Sequence, residues 1–245
     1  MRWRNTECRR VFPVCLLRSI STDRTAVTDP ESRLIDPTFL FRFEISIRRC
    51  EAAWTPKGIQ LPEANRLPSF GELAGRPVFA DFRLGWSERG LAVHVMVTGK
   101  RTLPWCRETR LEDSDGVHLW IDTRCSPDIH RATQYCHRFL WMPGGAGPKR
   151  DRPMATAIPI HRARENPRPI PPGQLAVAAA PRHDGYELSG IVPADALTGF
   201  SPADQPRIGL YYAVTDRELG WQTLAIGPEY PVTEDPSLWA EASLA

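Results

Sequence analysis

Three side chains that could recognise a ligand lie between residues 103 and 145, namely Trp105, His118 and Arg138. Trp105 follows a proline, His118 lies in an alternating run of apolar and polar residues, and Arg138 lies in an aromatic-rich run. An aromatic ring can stack on a ligand, and a guanidinium donates hydrogen bonds in a fixed geometry. The pattern predicts two strands that carry a recognition surface, although the same alternation is typical of a β-sandwich core.

The other tryptophans fit structural roles at least as well. Trp86 lies in a predicted hairpin turn over residues 85–90, where it could either cap the turn or contact a ligand. Trp120 and Trp141 alternate with apolar neighbours, which indicates packing in the core or between sheets. Trp221 and Trp239 are expected to fix the last strands.

Catalytic chemistry finds little support in the residue pattern. Asp113, Asp115 and Asp122 are close in sequence, and Glu108 and Glu112 lie nearby. Glycoside hydrolysis needs two carboxylates at a fixed separation across a cleft, which the sequence does not indicate. Motifs for a serine nucleophile, a zinc-binding helix or a phosphate loop are absent. We therefore predict a protein without enzymatic activity.

A transition-metal site is an alternative reading of the histidines and cysteines in this region. No Cys-x-x-Cys pair occurs, and no further pattern supports such a site. The candidate ligands are His118, His130, His137, Cys106, Cys125 and Cys136.

Composition indicates an ordinary folded protein with many turns. The chain has 245 residues, 24 prolines, 17 glycines and a formal net charge of +2. This net charge argues against polyanion binding as the main function, and the arginines at 162, 164 and 168 fit a solvated, proline-rich loop. We therefore expect neither nucleic acid nor a membrane as a partner.

The cysteines and the N-terminus favour a reducing compartment. The six cysteines lack the density of a disulfide scaffold, and a bridge between Cys125 and Cys136 is expected only if the protein is exported. The apolar run after Arg10 stops at Arg18 and contains a proline, which does not fit a signal peptide. Residues 1–36 are interpreted as a poorly ordered extension, and the protein as cytoplasmic by default.

The remaining chain, 37–245, is predicted to be a single domain of short strands. Strands are predicted where apolar and polar residues alternate or where turn residues mark a hairpin, which is the case at 39–47, 78–84, 91–97, 185–192 and 207–214. Residues 144–152 are rich in Gly, Pro and Lys/Arg and are expected to be a mobile loop. With almost no helical periodicity, the pattern predicts an all-β antiparallel sandwich.

The order of short motifs from residue 39 to 245 resembles family 9 carbohydrate-binding modules and the wider DOMON-type sandwich superfamily. A hairpin is followed by Pro104-Trp105 and by an Asp-x-Val strand at 115–122. Later come Gly-Tyr-x-Leu at 185–188, Arg-Ile-Gly-Leu at 207–210 and Asp-Pro-Ser at 235–237. The resemblance implies the same sandwich fold.

In that family a sugar is clamped between two tryptophan rings and hydrogen-bonded by polar side chains, which implies roles for particular residues here. Trp105 matches the place of the first ring, and Arg138 matches the arginine of the following strand. Thr233 precedes the Asp-Pro-Ser motif where the second ring is expected, and the nearest aromatic residue is Tyr230. His118 replaces a carboxylate.

The resemblance also raises two cofactors. Family members hold structural calcium, for which Asp115, Asp122 and Asp216 are chemically suitable, although no calcium-loop pattern is present. Some DOMON-type relatives bind haem through Met or His ligands.

We therefore expect a non-catalytic module that recognises a saccharide or a similar polyhydroxy ligand. Its ligand-binding residues would be Trp105, His118, Arg138, Tyr230 and Trp86. One alternative is a structural domain with a protein partner that has lost sugar binding, and another is a haem-binding domain.

Overall fold

The computed structural model describes residues 35–245, which contain eleven strands and only short 3₁₀ turns of up to five residues. The strands are β1 Glu44–Arg49, β2 Ala80–Ser87, β3 Gly90–Thr98, β4 Gly116–Asp122, β5 Cys136–Ala146, β6 Arg152–Ala157, β7 Ala176–Arg182, β8 Gly185–Pro193, β9 Arg207–Asp216, β10 Gly220–Thr223 and β11 Ala240–Leu244. The 3₁₀ turns are Pro37–Leu40, Glu63–Asn65, Phe70–Ala74, Leu111–Asp113, Ala194–Ala196 and Pro236–Leu238.

The strands form two sheets that share β1. One sheet has the order β6-β5-β4-β9-β11-β1, with β10 paired to β9, and the other has the order β1-β2-β3-β8-β7. Residues 44–47 pair with β11, whereas Arg48 and Arg49 pair with β2, both in parallel. All other pairs are antiparallel. The predicted all-β antiparallel sandwich is confirmed, with β1 closing one side.

Aromatic contacts join the inner faces of the two sheets. Phe82 of β2 stacks on Tyr212 of β9, with ring centroids 3.9 Å apart. The Trp141 indole donates a hydrogen bond to the Ala176 carbonyl (3.1 Å) and passes close over Gly190, where a Cβ atom would lie 2.1 Å from Nε1. Trp120 and Trp141 are both fully buried, as their alternation with apolar residues predicts.

Three local predictions are wrong in detail. The first strand begins at Glu44 instead of residue 39, because Asp36 caps a 3₁₀ turn and leaves Phe39 and Phe41 43% and 57% exposed. Trp86 lies within β2, since the hairpin turn is only two residues long. Part of the segment expected to be a mobile loop is strand, because β5 continues to Ala146 through a bulge and β6 begins at Arg152.

The N-terminal prediction concerns residues 1–36, of which 1–34 lie outside the described residues. Residues 35–245 form one compact unit, and the division at residue 37 stays a prediction. In this described part of the chain, no helix has the length and apolar character needed to cross a membrane.

Candidate functional site

A depression of about 360 Å³ lies at the end of the sandwich where the β3–β4 connection meets the β9–β10 turn. Two half-buried tryptophans, Trp105 and Trp221, contribute to its lining. The rest of the lining is polar and carries charges of both signs, from Arg110, Glu112, Asp113, Ser114, Asp115, Thr215, Asp216 and Arg217. Aromatic rings beside hydrogen-bonding groups are the usual composition of a small-molecule site.

The backbone of Trp105 is held in place by Asp115, the residue that precedes β4. Its amide donates to Asp115 Oδ2 and its carbonyl accepts from the Asp115 amide, both at 2.9 Å. The next residue, Cys106, is buried against Leu140 and Met142 on the outer face of β5. The loop beyond it is closed by Ser114, whose hydroxyl accepts from the Arg107 amide and donates to the Arg110 carbonyl. Trp105 is therefore anchored at its backbone on both sides.

A buried ion cluster connects the two walls of the depression. Lys100 Nζ donates to Asp115 Oδ2 (3.1 Å) and to Asp216 Oδ2 (2.6 Å), and all three side chains are at most 2% exposed. Asp115 Oδ1 also accepts from the Arg217 amide. Burial by itself would lower the pKa of Lys100, but the bonds and charges of Asp216 and Asp115 raise it, so the ammonium stays charged.

Guanidinium groups surround the ring of Trp105. The Arg217 guanidinium carbon lies 4.4 Å from the ring centroid, that of Arg107 at 4.9 Å and that of Arg110 at 5.9 Å. Arg110 is also paired with Asp113 at 2.6 Å. The wall is thus aromatic and cationic, and it can offer both a ring face and hydrogen-bond donors to a ligand.

Arg138 and His118 lie on the outer face of β4 and β5, outside the lining of the depression, and Arg138 lines a separate cavity of about 550 Å³ together with residues of β6 and of the loop at 166–173. The Arg138 guanidinium lies 4.9 Å from the Trp120 ring and 3.4 Å from His118 Nδ1. Its Nη1 bonds Glu112 Oε1 at 2.7 Å, and Glu112 belongs to the lining of the depression. His118 is fully buried, and burial followed by the charge of Arg138 holds its pKa well below the usual value. The pair of Arg138 with Glu112 is the contact that connects these two side chains to the depression.

The five residues predicted to bind ligand are therefore separated. Trp105 lines the depression, and Arg138 reaches it through Glu112. Tyr230 packs edge-on against Phe39, with centroids 4.8 Å apart. Trp86 lies in the other sheet, where its indole donates to the Ala245 carbonyl and Arg49 covers its ring.

Sequence reasoning missed Trp221 and Arg217 as site residues. Trp221 is the second residue of β10, and it pairs with Thr215 of β9 across a short turn. This pairing brings its ring to the depression that Trp105 lines. The spacing of Asp216 and Trp221 in the sequence is compatible with a short hairpin between two strands. This spacing does not indicate which other loop the Trp221 ring contacts.

The aspartates considered for calcium do not fit a metal site. Lys100 already bridges Asp115 and Asp216, and Asp122 accepts from the backbone amides of Arg124 and Ser126. Among residues 35–245, no group of three or more His, Cys, Asp or Glu side chains is arranged to hold a metal ion. The four cysteines of this range, Cys50, Cys106, Cys125 and Cys136, are free thiols.

The fold is that of a carbohydrate-binding module of the family 9 type. The chain is similar to a family 9 module from Caldicellulosiruptor kristjanssonii solved in complex with cellotriose, with a TM-score of 0.54 and 13% identity over 82% of this chain and 93% of that one. A module from the same organism in complex with glucose gives a TM-score of 0.51 and 12% identity over 84% and 96%. At this identity the likeness shows the fold alone. No protein-family model and no curated protein matches the chain.

Proposed function

We propose that the protein is a non-catalytic module that binds a saccharide in the depression between Trp105 and Trp221. The observation that carries the proposal is the meeting of two tryptophans with charged and hydroxyl side chains in one depression. The apolar face of a pyranose stacks on an aromatic ring, while its hydroxyl groups need donors and acceptors around the rim. The similar modules solved with cellotriose and glucose support this choice of ligand class.

The size of the depression favours a short stretch of a sugar chain. Its volume of about 360 Å³ lies near the lower end of the range for ligand pockets, roughly 300–1,000 Å³. A mono- or disaccharide unit fits such a volume. Arg217 is exposed and can turn from the ring of Trp105 toward hydroxyl groups of the ligand.

The carboxylates of the depression support a binding role without catalysis. Asp115 and Asp216 bond to Lys100, Glu112 to Arg138, and Asp113 to Arg110. Glycoside hydrolysis needs one carboxyl group that can give a proton and a second that can act on the sugar or on water. All four carboxylates already bond a cation, and we propose that they hold the walls of the depression in place and do not act on a sugar.

We propose that Arg138 acts by positioning Glu112 and that His118 helps to hold Arg138 in place. Tyr230 and Trp86 stay candidates for contacts outside the depression. A protein-interaction domain is the second candidate function, and the exposed apolar run at Phe39, Leu40 and Phe41 favours it, with Leu40 69% exposed.

Replacing either ring of the depression is expected to weaken saccharide binding at least about tenfold, because buried aromatic residues dominate binding energies. The first measurement is thermal stability of the parent protein against a panel of mono- and oligosaccharides. A ligand at a hundredfold excess over its Kd stabilises by about 2.7 kcal/mol. Titration calorimetry of the best ligand then compares Trp105→Ala and Trp221→Ala with Trp86→Ala, which changes a tryptophan outside the depression.

The proposal is overturned if both depression variants bind like the parent. Weak binding in Trp86→Ala alone would place the site at β2 instead. A folded protein that no saccharide stabilises would favour the interaction domain, and a Soret band in the purified protein would favour haem binding.

A further inference from the structure

A second concavity, which we call the basic groove, adjoins the depression at the same end of the sandwich. Its volume is about 590 Å³. Three connections form it: residues 100–104 after β3, the turn at 149–151 between β5 and β6, and residues 181–183 at the β7–β8 hairpin. These connections come from both sheets, so the groove crosses the end of the sandwich.

The charges that line the basic groove are mostly positive. Arg101, Lys149, Arg150 and Arg182 are exposed, and their side chains form no ion pair with any described residue. Asp151 is the acidic residue of the lining. Lys100 contributes no free charge, since Asp115 and Asp216 bind it, and His183 lies beside Asp184 at 3.2 Å. The groove therefore keeps an uncompensated positive charge that the small net charge of the chain conceals.

The basic groove and the depression lie on opposite sides of one loop, residues 100–105. Pro104 lines the groove, and the next residue, Trp105, lines the depression. Lys100 likewise lines the groove, while the two aspartates that bind it line the depression. A chain-like ligand that occupies one concavity reaches the other by crossing this loop.

Unpaired cations also stand at the edge of the depression. Arg107 and Arg217 approach the ring of Trp105, and neither forms an ion pair with a residue of the described range 35–245. The nearby Glu218 bonds the Thr102 hydroxyl and the amides of Arg101 and Thr102 and keeps its negative charge, but the unpaired cations around it outnumber it. Guanidinium groups match the geometry of carboxylate and sulfate oxygens.

We infer that the saccharide is anionic, with one unit at Trp105 and Trp221 and with its carboxylate or sulfate groups in the basic groove. This inference rests on the proposed function and adds the charge of the ligand to it. A neutral glucan would use the rings but would leave the cations of the groove without a partner. An acidic saccharide chain uses both the two rings and the cations of the groove.

The test is titration calorimetry at low ionic strength with oligogalacturonate and with its methyl ester, which keeps the sugar and removes the charge. We expect the acidic form to bind at least about tenfold more tightly, and the preference to shrink in salt, because exposed charges are screened. Alginate oligomers carry carboxylates alone, whereas chondroitin sulfate oligomers carry carboxylates and sulfates, so tighter binding of the second would indicate sulfate recognition.

Matched double variants place the effect in the groove. Lys149→Gln with Arg182→Gln is expected to weaken binding of the acidic form about fivefold, since each exposed ion pair contributes modestly, and to leave the ester unaffected. Arg48→Gln with Arg164→Gln removes the same charge from exposed positions elsewhere and is expected to change nothing.

Equal affinity for acid and ester, no effect of the groove variant, or no binding of any of the three acidic chains overturns the inference. In each case, binding of a neutral saccharide that depends on Trp105 would still support the proposed function. Competition by single-stranded DNA at equal strength would overturn it as well, because the groove would then be a general polyanion surface.

Discussion

Replacing Lys100 with methionine is expected to lower the free energy of unfolding by about 3–5 kcal/mol, because breaking a buried ion cluster leaves uncompensated charges. The substitution leaves Asp115 and Asp216 without their cation, at side-chain exposures of 1% and 0%. It also releases the support of Trp105, whose amide bonds the same carboxylate oxygen of Asp115 as Lys100 does. Saccharide binding should therefore be lost together with stability. Urea unfolding at pH 7, followed by circular dichroism, measures the first effect.

Two further variants separate this cluster from a general loss of positive charge. Lys149→Met removes an exposed lysine of the basic groove and is expected to change stability by less than about 0.5 kcal/mol. Adding Asp216→Asn to Lys100→Met should recover part of the loss, since it removes one unpaired charge and keeps the oxygen that accepts from the amides of Glu218 and Leu219. A Lys100→Met protein as stable as the parent would contradict the role of the cluster.

Acidification from pH 7 to pH 5 is expected to destabilise the fold by about 2 kcal/mol through His137 alone. Burial lowers the pKa of His137 from 6.5 to about 4, and a hydrogen bond to the backbone of Thr198 acts in the opposite direction. Between these values the unfolded chain binds the proton and the folded chain does not. The stabilising effect is therefore complete above about pH 6.5 and is lost as the pH falls toward 4.

His118 adds to this acid sensitivity in the same direction. Burial and the charge of Arg138 lower its pKa well below the ordinary value. Carboxylates with lowered pKa values, such as Asp36, Asp81 and Asp235, destabilise the fold only when they are protonated at still lower pH. Burial raises the pKa values of Asp115 and Asp122, so these carboxyl groups bind protons more readily in the folded protein and oppose the loss of stability. A comparison of histidine variants with the parent therefore isolates the share of the two buried histidines.

The measurement is the free energy of unfolding in urea at pH 7, 6 and 5. His137→Phe keeps a ring beside Phe139, with which His137 stacks at 5.8 Å, and is expected to flatten the pH dependence by the share of His137. His183→Gln changes a histidine whose side chain is 87% exposed and should leave the slope intact. An unchanged slope in His137→Phe would show that its imidazole titrates normally in the folded protein.

Most strands could be predicted from sequence because burial follows the period of two. β3 and β9 alternate or run apolar between clear turn residues, and both are strands in the structure. β6 could not be predicted, since Arg152–Ala157 is half-exposed and gains its strand conformation from pairing with β5. The late start of β1 could not be predicted either, because the cap at Asp36 competes locally with the alternation of Phe39, Phe41 and Phe43.

The candidate site was only partly visible in the sequence for a similar reason. Trp105 follows from the resemblance of its loop to that of the modules, whereas Trp221 reaches the depression only through the register of β10 on β9. The role of Lys100 depends on two aspartates that are 15 and 116 residues away along the chain. No pattern within a short stretch of sequence predicts this contact of Lys100 with the two aspartates.

The central claim is that Trp105 and Trp221 form one saccharide site. The most direct measurement is NMR of the eight tryptophan indole N–H groups during titration with the best-binding oligosaccharide, with assignments from single Trp→Phe variants. We predict that the signals of Trp105 and Trp221 shift together with one Kd, while those of the buried Trp120 and Trp141 stay in place. Shifts confined to Trp86, or saturable binding that moves neither Trp105 nor Trp221, would contradict the claim.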